Sequence, residues 1–245
     1  GGRAKAWKEE DMEVMKIQGV EKRYGRRWAL KDINIDLQSG EILGIIGESG
    51  SGKTTLLRTM AGLVRPNRGE VLLENRPIQS YQKDFYQNVQ MIFQDARSSF
   101  DPQKTIGQSF DEVQRHLCNV KVDNGEQLAK VGLSSECEHC YPHQLSGGQC
   151  QRAAIARALL VMPKVLLCDE ITSALDVCVQ KNIIELLVNL RKSNHISVAF
   201  VSHDLALVSN FCDRILIMYD GEIVEQGRTE EVLHHPKNSY TKDLL

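Results

Sequence analysis

Gly47-Glu48-Ser49-Gly50-Ser51-Gly52-Lys53-Thr54 fills the pattern GxxxxGK[ST] at every position. The run before it, residues 41–46, is short and mostly apolar and reads as a buried strand. The segment after Lys53 has helical spacing, with Leu56, Met60 and Leu63 on one face. Strand, glycine-rich loop and helix in that order make a phosphate cradle. The glycines let the backbone curl until successive N–H groups of the loop face the phosphates. The helix that starts near Lys53 adds its positive N-terminal end. Lys53 is expected to bridge the β- and γ-phosphates of ATP, Thr54 to ligate Mg²⁺, and Thr55 to hydrogen-bond the α-phosphate.

Further along, the apolar run Val165-Leu166-Leu167-Cys168 ends in Asp169-Glu170. A carboxylate at the tip of a buried strand suits a contact to Mg²⁺, which is the role expected of Asp169. The chain turns at a strand end, so Glu170 can face the γ-phosphate and orient, or partly deprotonate, the attacking water. Gln94 leaves the apolar run at 89–93, where an amide near Mg²⁺ would sense the γ-phosphate. His203 leaves another, 198–201, and would hold Glu170 and the water in place.

Leu145-Ser146-Gly147-Gly148-Gln149 is a second phosphate device. Ser146, Gly147 and Gly148 begin a helix, where N–H groups are free, and Gln149 completes the motif. The cradle at 47–54 already serves this chain's own nucleotide. The second device is therefore expected to act on the nucleotide of another subunit, two chains clamping two ATP molecules head to tail. Ser173-Ala174-Leu175-Asp176 would lie at that seam.

Around these motifs, residues 13–37 alternate like antiparallel strands, with Val14, Ile17, Ile33, Ile35 and Leu37 as the apolar positions. Pro66-Asn67-Arg68-Gly69 and Asp220-Gly221 are turns, the latter between strands at 214–219 and 222–225. From Asp95 the chain becomes more polar and reads as short helices and loops, down to the helix that carries LSGGQ and stops before Pro163. Residues 175–191 form an amphipathic helix. Strands alternating with helices around a buried phosphate-loop strand give an α/β fold with a parallel core.

The 245 residues carry a net charge of −2 and 42% hydrophobic side chains, which fits a packed domain and argues against a nucleic-acid binder. Lys22-Arg23 and Arg26-Arg27 read as a solvated face. No apolar stretch approaches the roughly 20 residues that span a bilayer. Residues 1–12 read as a cloning remnant or disordered start. Residues 13–245 read as one domain, with 13–94 and 160–245 as the catalytic core and 95–159 as an inserted helical subdomain. Seven cysteines fit a reducing compartment better than a disulfide framework. Cys137-Glu138-His139-Cys140 has zinc-like spacing but no second CxxC, so a surface turn is the plainer reading.

In this order the motifs resemble those of the nucleotide-binding subunits of ABC (ATP-binding cassette) transporters, over nearly the whole chain from Met15. The resemblance implies a P-loop NTPase (RecA-like) core with an N-terminal antiparallel β subdomain and an inserted α-helical signature subdomain. It also implies that Tyr24 stacks on adenine. Phe93-Gln94-Asp95, Ser98-Ser99-Phe100-Asp101-Pro102, Thr105-Ile106-Gly107, Tyr141-Pro142-His143-Gln144 and the C-terminal His235-Pro236, Tyr240-Thr241 and Leu244-Leu245 look like the peptide and nickel importer branch. That branch implies two permease subunits, a second ABC ATPase, an extracytoplasmic solute-binding protein, and a peripheral place on the cytoplasmic face of the inner membrane. Cargoes in the branch are peptides, glutathione, nickel or metal chelates. Three departures stand out. Ile171 replaces a usual proline, Cys150 replaces a basic or polar residue, and the sequence stops at Leu245, so a cysteine-rich cluster-binding tail is not expected. The competing reading is a soluble ABC ATPase acting on ribosomes or DNA. Such proteins carry two cassettes or a long coiled coil, and neither is seen here. An inactive structural partner would not need Lys53, Asp169, Glu170 and His203, all of which are present.

Overall fold

The computed structural model describes residues 13–82, 84–118, 121–173 and 175–245. Residues 1–12, and Ala174 of the expected seam, lie outside the described residues.

The chain opens with a hairpin of β1 (Glu13–Tyr24) and β2 (Arg27–Gln38), paired from Tyr24↔Arg27 to Glu13↔Gln38. β3 (Ile42–Ile46) leads into the phosphate loop and α1 (Lys53–Met60). β4 (Arg68–Leu73) and β5 (Arg76–Pro77) make a second hairpin, its two-residue turn held by Glu74 and Asn75 at φ 49° and 60°. α2 (Asp84–Asn88) and β6 (Val89–Ile92) come next. Three helices then intervene: α3 (Ile106–Leu117), α4 (Asn124–Lys130) and α5 (Gly147–Leu159). The chain returns through β7 (Val165–Asp169), α6 (Val177–Asn194), β8 (Ser197–Val201), α7 (Leu205–Phe211), β9 (Arg214–Tyr219) and β10 (Glu222–Arg228). It ends in α8 (Thr229–His234) and α9 (Ser239–Leu244).

Two sheets result. One is antiparallel, in the order β2-β1-β4-β5. The other runs β10-β9-β3-β8-β7-β6 and is parallel except for β10. The inner strands β3, β7 and β8 are buried on both faces, as parallel strands between layers must be. Their side chains alternate between two apolar layers. Leu43, Ile45, Leu167, Ala199, Leu216 and Met218 pack with Leu56 and Met60 of α1 and with the antiparallel sheet. Ile42, Ile46, Leu166, Cys168, Phe200 and Ile217 pack on the other side, with α6 and the helices of 106–159.

The parallel register decides where the chemistry sits. Ile45 pairs with Val201, Asp169 with Val201, and Ile92 with Cys168. The carboxyl ends of β3, β8, β7 and β6 therefore finish on one edge, the usual place for a ligand in an open α/β sheet.

Two expectations need correction. Leu63 is not on the inner face of α1: the helix ends at Met60, Gly62 turns the chain at φ 70°, and Leu63 is 51% exposed. α6 starts at Val177 rather than at 175, because the Asp176 carboxylate accepts a hydrogen bond from the Val179 N–H and caps it.

Candidate functional site

The loop between β3 and α1 is shaped by what its glycines leave out. Gly52 sits at φ 109°, and a Cβ there would lie 2.4 Å from the Ala29 carbonyl oxygen. Gly52→Ala is therefore expected to destabilise the chain by about 2 kcal/mol or more, from backbone strain and overlap together. An unchanged urea midpoint would remove this reason for the glycine.

Lys53 is 6% exposed, and its ammonium donates to the Gly47 carbonyl at 2.7 Å and the Glu48 carbonyl at 2.8 Å. Burial lowers its pKa, and the negative charges of Glu170 and Asp169 oppose that shift. Ser51 is held by its backbone, yet its hydroxyl is buried with no hydrogen-bond partner.

Asp169 ends β7 and is 5% exposed; its Oδ1 accepts the Thr54 hydroxyl at 3.1 Å. Burial raises its pKa, the Thr54 hydrogen bond lowers it, and nearby Glu170 raises it further. A buried carboxylate beside a threonine hydroxyl is a set of hard oxygen donors, the chemistry Mg²⁺ takes.

Glu170 is the first residue past the strand and has φ 47°. Its N–H still bonds the Val201 carbonyl at 3.2 Å, so the turn is anchored to β8. The turn carries the carboxylate to Gln94, whose Nε2 donates to Glu170 Oε2 at 3.0 Å. His203 Nδ1 lies 4.0 Å from the same oxygen. Ile171, in the place of a proline, is buried in the core under this turn, which closes through the Ser173 N–H to the Glu170 carbonyl at 3.2 Å.

Lys53, Thr54, Gln94 and Glu170 border one groove of about 430 Å³, lined also by Tyr24, Arg27, Gly50 and Thr55; Asp169 and His203 lie beside it and do not line it. Tyr24 stands at its rim, 52% exposed. Arg27 is exposed, as a solvated face requires, and it also lines the groove and donates to the Gly50 carbonyl at 3.3 Å. Nothing local in the sequence signals that role; the β1–β2 hairpin brings it there.

Residues 145–149 do not border this groove. Ser146 caps α5 by a reciprocal pair: its Oγ accepts from the Gln149 N–H at 3.2 Å, and Gln149 Oε1 accepts from the Ser146 N–H at 2.9 Å. A Cβ on Gly148 would lie 2.8 Å from Val179, while one on Gly147 would meet nothing within 4 Å among the described residues. Ser146 and Gly147 are thus presented outward from a capped helix start. Cys150, one residue on, is buried in the α5 core, and burial pushes its thiol pKa up. Cys137 is buried and Cys140 half-buried in a short turn. Among the described residues, no three His, Cys, Asp or Glu side chains gather to hold a metal ion.

The family model described as ABC transporter matches residues 30–173. The oligopeptide transport ATP-binding protein OppF of Haemophilus influenzae is 42% identical over 227 residues, which cover 89% of this chain and 68% of that protein. The glutathione import ATP-binding protein GsiA of Salmonella paratyphi A is 41% identical over 89% of this chain and 36% of its own length. Among solved structures, the dimeric ABC transporter cassette MJ0796 superposes with a TM-score of 0.80 at 30% identity, over 88% of this chain and 98% of that one.

Proposed function

Because the chain belongs to the ABC transporter family and is an ATP-hydrolysing cassette of it, we propose that it powers an importer of peptides. One observation carries the mechanism. Three parallel strands, β3, β6 and β7, lead at one edge into Lys53, Thr54, Gln94, Asp169 and Glu170, while Ser146 and Gly147 are exposed at the start of another helix and do not line that groove. A chain built this way has one groove for its own ATP and one helix start for a neighbour's.

In this reading the loop at 47–52 and Lys53 hold the phosphates, Thr55 the α-phosphate, and Tyr24 the adenine. Glu170 orients the attacking water and draws its proton; Gln94 and His203 hold Glu170. Thr54 and Asp169, with Gln94, would hold Mg²⁺, which when bound neutralises charge developing on the phosphates. Ser146, Gly147, Gly148 and Gln149 meet the γ-phosphate of the second cassette's ATP. Residues 95–159 act as the helical subdomain and 13–94 with 160–245 as the core, and 95–108 is the proposed contact with the permease.

The proposed partners are two permease subunits, a second ABC ATPase and, through the complex, an extracytoplasmic solute-binding protein. Among the described residues no helix is long and apolar enough to cross a membrane, which supports a peripheral seat on permeases at the cytoplasmic face. The identity with the oligopeptide protein favours peptides over nickel or metal chelates as cargo.

The test is mass spectrometry of what co-purifies with the tagged chain from gently solubilised native membranes. Two permeases and a second cassette are expected. Ribosomal or DNA-bound partners with no membrane protein would overturn the importer and leave only the ATPase chemistry.

A further inference from the structure

The C-terminal motif of His235-Pro236, Tyr240-Thr241 and Leu244-Leu245 has no part in the roles above. Tyr240 lies on α9, and its ring packs on Tyr219 with centroids 4.4 Å apart. Tyr219 ends β9, just before the Asp220-Gly221 turn. That turn already grips the phosphate loop, since the Gly221 N–H donates to the Ser51 carbonyl at 2.9 Å.

From this seat the Tyr240 hydroxyl accepts a hydrogen bond from the Glu48 N–H at 3.3 Å. The Glu48 N–H and the Gly47 carbonyl belong to one planar peptide. The Gly47 carbonyl, which points the opposite way within that plane, accepts from the Lys53 ammonium at 2.7 Å. A single rigid unit therefore joins the phenol to the ammonium: rotating the peptide to free one hydrogen bond disturbs the other. Burial lifts the pKa of the phenol, so the hydroxyl stays neutral and both hydrogen-bonding directions are retained.

We propose that Tyr240 is a positioning residue for ATP binding, fixing the Gly47–Glu48 peptide and through it the place of the Lys53 ammonium. It touches no reacting atom. The inference rests on the reading of residues 47–54 as the ATP cradle. Without the hydroxyl, the peptide must be ordered by the nucleotide itself. The cost then falls on binding and not on the saturated rate.

The test is Tyr240→Phe in the full chain, assembled with its partner subunits; the ring stack is kept and only the hydroxyl is lost. The KM for ATP is expected to rise about three- to tenfold, the range one hydrogen bond supplies, with kcat within about twofold. Hydrogen exchange at the Glu48 amide should quicken by about the same factor. Tyr219→Leu removes the stack and leaves the hydroxyl, and is expected to raise KM less. An unchanged KM in Tyr240→Phe overturns the proposal, whatever the amide does. So does a fall in kcat at constant KM, or a lowered Tm with faster exchange throughout α9 and no change in KM. Failure of the unaltered chain to bind ATP would sink the cradle reading itself, and that is seen before any variant is made.

Discussion

Glu170→Gln is expected to lower steady-state ATP hydrolysis by roughly 10²- to 10⁴-fold, the range lost when a positioned general base is removed, while leaving ATP affinity within a few fold. The substitution is nearly isosteric, so the turn at φ 47° and its N–H bond to the Val201 carbonyl survive. What disappears is an oxygen able to take a proton. Gln94 Nε2 and His203 Nδ1 both approach Glu170 Oε2, at 3.0 Å and 4.0 Å. The Gln94 hydrogen bond orients the side chain, with the imidazole close by but beyond hydrogen-bond distance. The replacement amide can still accept from Gln94 through its own oxygen. Geometry is thereby preserved and basicity removed, which makes the variant a test of chemistry and not of folding. Phosphate release and ATP titration on the same preparation decide it. Turnover near the unaltered rate would move the role of base to another residue.

Lys53→Ala acts on the other half of the cycle. The ammonium is buried, and its hydrogen bonds to the Gly47 and Glu48 carbonyls aim it from the floor of the loop. Hydrogen bonds to a charged group contribute about 1.5–3 kcal/mol each, so losing the phosphate contact alone should weaken ATP binding roughly 10- to 150-fold. Two further effects add to this. The Gly47 and Glu48 carbonyls lose their donor, and Asp169 and Glu170 lose a nearby positive charge that offsets their mutual repulsion. Titration calorimetry with ATP checks the prediction. An unchanged Kd would mean that this lysine does not reach the phosphates. The two variants separate the site into its parts: one binds without turning over, and the other fails to bind.

Much of this was legible because short signals sat on strongly patterned elements. β3, β7 and β8 announce themselves as short, mostly apolar runs; β7 ends in Asp169, β3 leads straight into the phosphate loop, and His203 follows β8 by two residues. Once those runs are taken as parallel, Asp169, Glu170, Gln94 and His203 must converge with the phosphate loop. What stayed hidden depends on distance in sequence. Arg27 reads as surface charge until the β1–β2 hairpin folds over the loop. Tyr240 and Glu48 are 192 residues apart, and no local pattern links them. The short helices α7, α8 and α9 offer two turns at most, too little for a 3.6-residue period to show. Leu63 is exposed although it fits the helical spacing, because the periodicity of α1 carries one step past the Gly62 turn that breaks it.

The open side of Gly147 has a genetic meaning. A methyl group there would touch nothing among the described residues, so a damaged copy is expected to fold like any other. In the head-to-tail pair of cassettes proposed above, however, each ATP would borrow its second wall from the neighbouring subunit. The lesion would spare the site of the chain that carries it and silence the one opposite. Complexes built on such a copy would keep one working site, and no screen for solubility or melting would single the lesion out.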